Sequence, residues 1–233
     1  MKVGGHVTMR SISIARVLLA QPDVDVDDAV RIGRMPRVIG TMIPGYLTLP
    51  AGSNGKNSTA IVMPHGGPAT RDEWGFDWLV QSYAARRYAV LQPHNRGSPG
   101  HAALQSGVLD AGLVKAIVAI ARVTDLEHRR AENRDYSRFP LVDRQIGNWP
   151  HVSEGTPARN TARIRAPVLL FYGSTDRSIS IAQSRTMAGK LRDAGKQVEL
   201  VEFNGLDRQL ADSSVHTTML DRSDAFLRKT LGL

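Results

Sequence analysis

The sequence predicts an α/β fold: a mostly parallel sheet with helices on both faces. Three observations predict it. Short apolar runs of strand length recur at residues 60–63, 88–92, 116–121, 167–172 and 198–203. Segments with apolar residues at helical spacing lie between them, at 74–86 and 182–194, and a third closes the chain at 213–231. Strands alternating with helices in this way build parallel sheets covered on both faces.

Each element has its own signal. Residues 1–36 are weakly patterned and are expected to form a weakly structured N-terminal segment, with one domain over 37–233. Asp23-Val24-Asp25-Val26-Asp27 alternates like an exposed strand. Lys2 and Arg10 precede an apolar run from Ile12 to Leu19, but Arg16 interrupts it and no clear small-residue cleavage site follows, which argues against a secretory signal. Residues 38–43 and 46–49 read as a hairpin turning at Pro44-Gly45. Residues 51–58, rich in Gly, Ser and Asn, read as a loop. The strand at 60–63 runs into Met63-Pro64-His65-Gly66-Gly67-Pro68. Trp74, Trp78, Leu79 and Tyr83 then mark one face of a helix. The chain shows no internal repeat and no low-complexity tract.

Bulk composition excludes several classes. The 233 residues include no cysteine, so there is no disulfide framework, thiolate nucleophile or Cys-based metal site. This suits a reducing cytoplasm, the expected location. No apolar run approaches the ~20 residues of a membrane span. The net charge of +8 would suit an acidic partner, yet the arginines are spread along the chain and interleaved with acids. No aromatic-and-basic stripe accompanies them, so neither nucleic acid nor membrane is an expected partner. His94, His101, His128 and His151 have no metal-ligand spacing, and no metal or other cofactor is expected.

Several blocks together carry a family resemblance. Tyr46-Leu47-Thr48-Leu49-Pro50, the segment from Met63 to Pro68, Asn95-Arg96-Gly97-Ser98, Val123-Thr124-Asp125-Leu126, Arg165-Ala166-Pro167-Val168-Leu169-Leu170, Gln183-Ser184-Arg185-Thr186-Met187 and residues 198–209 resemble the catalytic domain of the prolyl oligopeptidase family. The dipeptidyl-aminopeptidase and acylaminoacyl-peptidase branch is the most similar. The resemblance covers nearly all of residues 37–233. It implies an α/β-hydrolase fold, a Ser-Asp-His triad in that chain order, and cleavage of peptides near their amino termini. Family members usually carry an N-terminal β-propeller; the 36 residues before the first block are fewer than one blade of ~40–45 residues, so no such gate is expected.

Set against the family pattern, the triad is incomplete. A serine hydrolase of this fold needs a Gly-x-Ser-x-Gly elbow on a strand-to-helix turn; the sequence has none. The elbow belongs between the strands at 88–92 and 116–121, and the short stretch 98–113 cannot hold a helix, a strand, the elbow and a second helix, since one crossover takes ~10–12 residues. Ser53 and Ser98 sit in turn-like settings and Ser106 precedes Gly107 with no strand before it, so all three are poor substitutes. By resemblance, Asp176 stands where the family holds the aspartate that orients histidine. The family turn that ends Asp-His reads Asp207-Arg208 here. A guanidinium cannot accept a proton at neutral pH, so Arg208 is not a general base. His216, eight residues on and ~12 Å along a helix axis, is a weak replacement. His65, Gly66 and Gly67 form the oxyanion-side loop by resemblance. Arg87 follows the helix at 74–86 where relatives tend to have glycine, and Arg122 replaces a small residue just past the strand at 116–121.

Three readings stay open. The first is a degenerate, hydrolytically inactive domain of this family. The second is a working serine peptidase with a rebuilt or partner-completed site, for which the partner is a peptide substrate. The third is a binding or assembly module that associates with itself or with a full-length relative. Loss of the central strand predicts that the strands at 60–63 and 116–121 pair directly, because buried unpaired edges are costly.

Overall fold

The structure, a computed structural model, describes residues 8–13, 44–56, 58–66, 72–73, 75–93, 102–109, 111–147, 151–154 and 156–233. They fall into two compact units, residues 1–98 and 99–233. The alternating stretch 23–27 and the first arm of the expected hairpin, 38–43, lie outside the described residues.

Unit 1 holds a four-stranded sheet in the order β1-β2-β4-β3: β1 is Thr8–Ser13, β2 Pro44–Leu49, β3 Ala60–Val62 and β4 Ala89–Pro93. The β1/β2 and β2/β4 ladders are antiparallel and β3/β4 is parallel. Pro44-Gly45 is therefore not a hairpin turn. Both residues belong to β2, and Gly45 pairs with Ile12 on one side and Pro93 on the other. Proline is tolerated as the first residue of a strand, and a Cβ on Gly45 would stand 2.7 Å from the Gln92 carbonyl oxygen, so the close approach of β4 requires glycine. Helix α1, Trp78–Ala85, links β3 to β4 and packs its buried Val80, Tyr83 and Ala84 onto β2 and β4. Asp77 caps it, accepting from Leu79 N and Val80 N.

The C-terminus of α1 closes on a residue the sequence flagged. Arg87 has φ +74°. Its N–H donates to Ala84 O at 3.0 Å and the next N–H, of Tyr88, donates to Tyr83 O at 3.1 Å. That pair of bonds is the Schellman motif. The Tyr83 and Tyr88 rings meet edge to face at 6.0 Å and supply its hydrophobic contact.

Unit 2 holds an all-parallel sheet in the order β5-β6-β7, with β5 at Ile117–Ile120, β6 at Val168–Gly173 and β7 at Val198–Phe203. Helix α2, Ala102–Leu109, precedes β5; α3, Leu126–Glu132, α4, Phe139–Ile146, and the single turn α5, His151–Glu154, follow it. Helix α6, Ile181–Asp193, crosses from β6 to β7, and α7, Ser213–Leu231, ends the chain. All six residues of β6 are buried. A strand hidden on both alternations must be covered on both faces. Val168, Leu170 and Tyr172 join one core cluster with Leu104 and Val108 of α2 and Met187 and Leu191 of α6. Leu169 and Phe171 point the other way and are equally buried; α7 packs on this strand. Burying each such side chain contributes ~1.5–3 kcal/mol.

The expected pairing of the strands at 60–63 and 116–121 does not form. β3 pairs with β4 and β5 with β6; among the described residues no ladder joins the two sheets. The reason is connectivity. Each parallel ladder is made by a strand-helix-strand crossover, β3-α1-β4 in unit 1 and, in unit 2, β5 to β6 through α3, α4 and α5 and β6-α6-β7, whereas the link from β4 to β5 carries α2 and no strand among its described residues. Among the described residues no helix is long and apolar enough to cross a membrane.

Candidate functional site

The carboxyl ends of β6 and β7 are stitched together by their turns. Gly173 ends β6; a Cβ there would lie 2.3 Å from Leu206 O and 2.4 Å from Asp207 O. Only glycine lets the 206–208 backbone come this close. Ser174 N donates to Phe203 O and Thr175 N to Leu206 O, both at 3.0 Å, and Gly205 N donates to Ser174 Oγ at 2.9 Å. These bonds set the Asp176 loop beside the Arg208 turn.

Asp176 is 7% exposed. Its Oδ1 accepts from Ser178 N at 2.7 Å and Ile179 N at 2.9 Å, the side-chain turn that aspartate makes readily. Its Oδ2 is buried and has no hydrogen-bond partner among the described residues. Arg208 is half-buried. Its turn is held by Asp207 Oδ1, which accepts from Gln209 N at 2.8 Å, and by Leu210, 1% exposed and at φ +48°. Asp212 then caps α7 through Ser214 N and Val215 N.

Charge gathers around these two loops. Asp176 and Arg208 both act electrostatically on Tyr172 and on Arg129. Burial pushes the Tyr172 phenol well above its ordinary range, so it is a neutral donor. Burial, then the like charge of Arg138, lowers Arg129. Arg122, flagged in the sequence, directly follows Ala121, which has φ +46° at the end of β5. Its N–H donates to the Tyr172 hydroxyl at 3.1 Å and its carbonyl accepts from the same hydroxyl. Sequence reasoning missed Tyr172 and Arg129. Tyr172 read as one more apolar strand residue, and Arg129 as one charge in a run of charges; neither role has a local signal.

Beneath the β5 end lies a buried polar network. Gln183 Oε1 accepts from Thr124 N and Asp125 N at 3.1 and 3.2 Å, the Thr124 hydroxyl donates to Gln183 O at 3.0 Å, and Gln183 Nε2 donates to Glu132 Oε2 at 2.8 Å. It ties the start of α3 to α6. Satisfied buried networks of this kind rigidify the elements they join.

The remaining candidates lie on other segments of the chain. Among the described residues the β4–β5 link holds only α2, and Ser106 is a half-buried residue within that helix. Ser53 lies in the loop before β3, where its hydroxyl accepts from Gly55 N at 3.0 Å. Ser98 and Gly67 lie outside the described residues. In unit 1, His65 is 8% exposed and its Nδ1–H, with the proton assigned to that nitrogen, donates to the Gly66 carbonyl at 2.5 Å. His216 is in the first turns of α7, where its N–H donates to Asp212 O at 2.9 Å; the Asp212 carboxyl is lowered chiefly by the hydrogen bond from the Ser214 hydroxyl, then by the Val215 and Ser214 N–H groups. It is a neighbour of the helix cap.

No protein-family model matches the sequence, and no curated protein matches it. Solved structures do match. The acylaminoacyl peptidase of Pyrococcus horikoshii superposes with a TM-score of 0.69 at 17% identity, over 83% of this chain and 40% of that one. A puromycin-hydrolyzing peptidase of Mycobacterium tuberculosis gives 0.70 at 22% identity, over 83% and 38%. Esterase 2 of Thermogutta terrifontis gives 0.57 at 18% identity, over 83% of this chain and 91% of that one. The chain thus spans about 40% of the length of the first two. At these identities the likeness is one of fold, and the fold of this chain is of the α/β-hydrolase type.

Proposed function

We propose that this chain is a degenerate catalytic domain of the prolyl oligopeptidase type, in the acylaminoacyl- and dipeptidyl-aminopeptidase branch, and that it does not carry out triad hydrolysis. The observation that carries the reading is the link between β4 and β5. Its described helix spans eight residues, where a nucleophile elbow would need a strand before it and a helix after it. Arg208 supports the same reading: a guanidinium in the turn stitched to the Asp176 loop cannot take a proton from a hydroxyl. In this reading Asp176 is the remnant acid, Arg208 stands where the base would be, and His65, Gly66 and Gly67 are what is left of the oxyanion side. No cofactor enters, and the protein is cytoplasmic. A serine-directed fluorophosphonate probe tests it. The purified chain is expected to stay unlabelled, as is its Arg208→His variant, because neither has the nucleophile. Stoichiometric labelling would refute the proposal.

A second reading is a working serine peptidase whose site is rebuilt or completed by a partner. The buried carboxylate of Asp176, with Oδ2 open to a donor, favours it. Turnover of aminoacyl-naphthylamides that disappears in Asp176→Asn would support this reading; no turnover above a buffer blank dismisses it. A third is an assembly module, favoured by β5, which pairs on one side only among the described residues. Sedimentation as a stable monomer would argue against it.

A further inference from the structure

Unit 1 contains an open cavity of about 400 Å³ beside the end of β4, lined in part by Asp72, Glu73, Phe76, Asp77, Trp78 and Gln92. In a chain of net charge +8, three of these six residues are acids. Gln92 is 2% exposed, and its Oε1 has no hydrogen-bond partner among the described residues. A buried acceptor left unmet is costly, and an incoming donor would satisfy it. The carboxylates set the sign of that donor. Asp77 Oδ1 already receives two N–H groups from α1, and Glu73 is exposed at the rim. Phe76, 83% exposed, offers an uncovered aromatic surface in the same wall. The acids do not converge as metal ligands do: among the described residues no group of three His, Cys, Asp or Glu could hold a metal ion.

We propose that this cavity binds a small organic ammonium carried on an apolar arm. An ammonium has three donors and no acceptor. One donor meets Gln92 Oε1, the charge is balanced by Glu73 and Asp77, and the arm lies against Phe76 and Trp78, where cation–π attraction adds to apolar contact. The site shares no residue with the Asp176 region and does not depend on whether the chain hydrolyses anything.

The test is a calorimetric titration of the full chain with benzylammonium chloride, with benzyl alcohol as the uncharged analogue. Saturable binding is expected for benzylammonium, and about tenfold or more weaker binding for the alcohol, as loss of one charge-assisted contact implies. Glu73→Gln, at an exposed position, is expected to keep the wild-type circular dichroism spectrum and to weaken benzylammonium by a similar factor. Gln92→Leu is expected to abolish binding; if it unfolds, Glu73→Gln carries the result. Equal binding of the alcohol, no saturable binding of benzylammonium, an unchanged Glu73→Gln, or displacement by calcium chloride at matched ionic strength would each overturn the proposal.

Discussion

The Tyr172 hydroxyl holds the Arg122 backbone on both sides of its Cα, accepting from Arg122 N–H at 3.1 Å and donating to Arg122 C=O. The two residues are 50 positions apart, one near the end of β6 and the other just past β5. The clamp sits beside Ala121, whose left-handed backbone is a conformation an L-residue adopts at a cost of ~1–2 kcal/mol. Tyr172→Phe keeps the buried ring and removes both bonds. It is expected to cost about 2 kcal/mol, at roughly 1 kcal/mol per bond. Urea unfolding measures this, and a change below about 0.5 kcal/mol would mean that the clamp contributes nothing beyond ordinary surface variation. The wild type carries a pH signature as well. Because burial raises the folded pKa of Tyr172, its contribution is whole below the unfolded value near ~10 and falls as pH rises above it. Tyr172→Phe is expected to lack that part of the alkaline limb.

Arg87 is a stabilising target. It occupies the left-handed position of a Schellman cap with both cap bonds already formed. Glycine adopts this backbone without the Cβ penalty. Arg87→Gly is expected to raise stability by about 1 kcal/mol, or roughly 2–4 °C in Tm for a chain of this size. A lowered Tm in differential scanning calorimetry would show that the Arg87 side chain contributes more than its backbone costs.

The two oxygens of Asp176 play different parts, and two substitutions separate them. Oδ1 holds the 176–179 turn through two backbone N–H groups, while Oδ2 is buried and unmet. Asp176→Asn preserves the first and removes a buried charge, so it is expected to stay within about 0.5 kcal/mol of the wild type. Asp176→Ala loses the turn and is expected to cost about 1–2 kcal/mol. Equal losses by thermal unfolding would mean that the negative charge itself, which acts electrostatically on Arg129, stabilises this edge.

Glu202 of β7 and Arg185 of α6 form a bidentate pair at 2.9 and 2.7 Å. The Arg185 hydrogen bonds hold the Glu202 carboxyl below its ordinary value. A depressed folded pKa gives stability that is present above the unfolded value, ~4.3, and lost as pH falls through the lower folded one. The pair is exposed to solvent and salt, so the effect is small. Arg185→Gln is expected to flatten the acid limb of the stability profile below about pH 4.5 and to leave pH 7 nearly unchanged, as measured by urea midpoints across the range. An acid limb of the same steepness in variant and wild type would contradict this.

Much of the architecture could be read locally. Strand β7 and helix α7 have the bounds the sequence predicted, 198–203 and 213–231, and the apolar runs behind β3, β4, β5 and β6 all became strands. Buried parallel strands are continuous apolar runs and the terminal helix has its own cap at Asp212, so both are written in consecutive residues. Arg87 was legible for the same reason, as the residue that follows the helical run at 74–86. The helices α3 and α4 were not. Charges dominate residues 126–146, and only Leu126, Asn133, Val142 and Ile146 are buried there, too few to set a helical period.

Pairing and proximity belong to the folded molecule. Spacing tells which residues share a face, because it follows from the rise and twist of one element. It cannot tell which element that face will meet. Hence β3 and β5, expected to be neighbours, each took a partner from its own crossover, and Pro44-Gly45 joined a ladder when β1 and β4 closed on either side of it. Asp176 and Arg208 were named from the sequence, but the approach of Gly173 to Leu206 that sets their loops together, and the phenol that locks Arg122 across 50 residues, exist because distant backbone segments come within hydrogen-bonding distance.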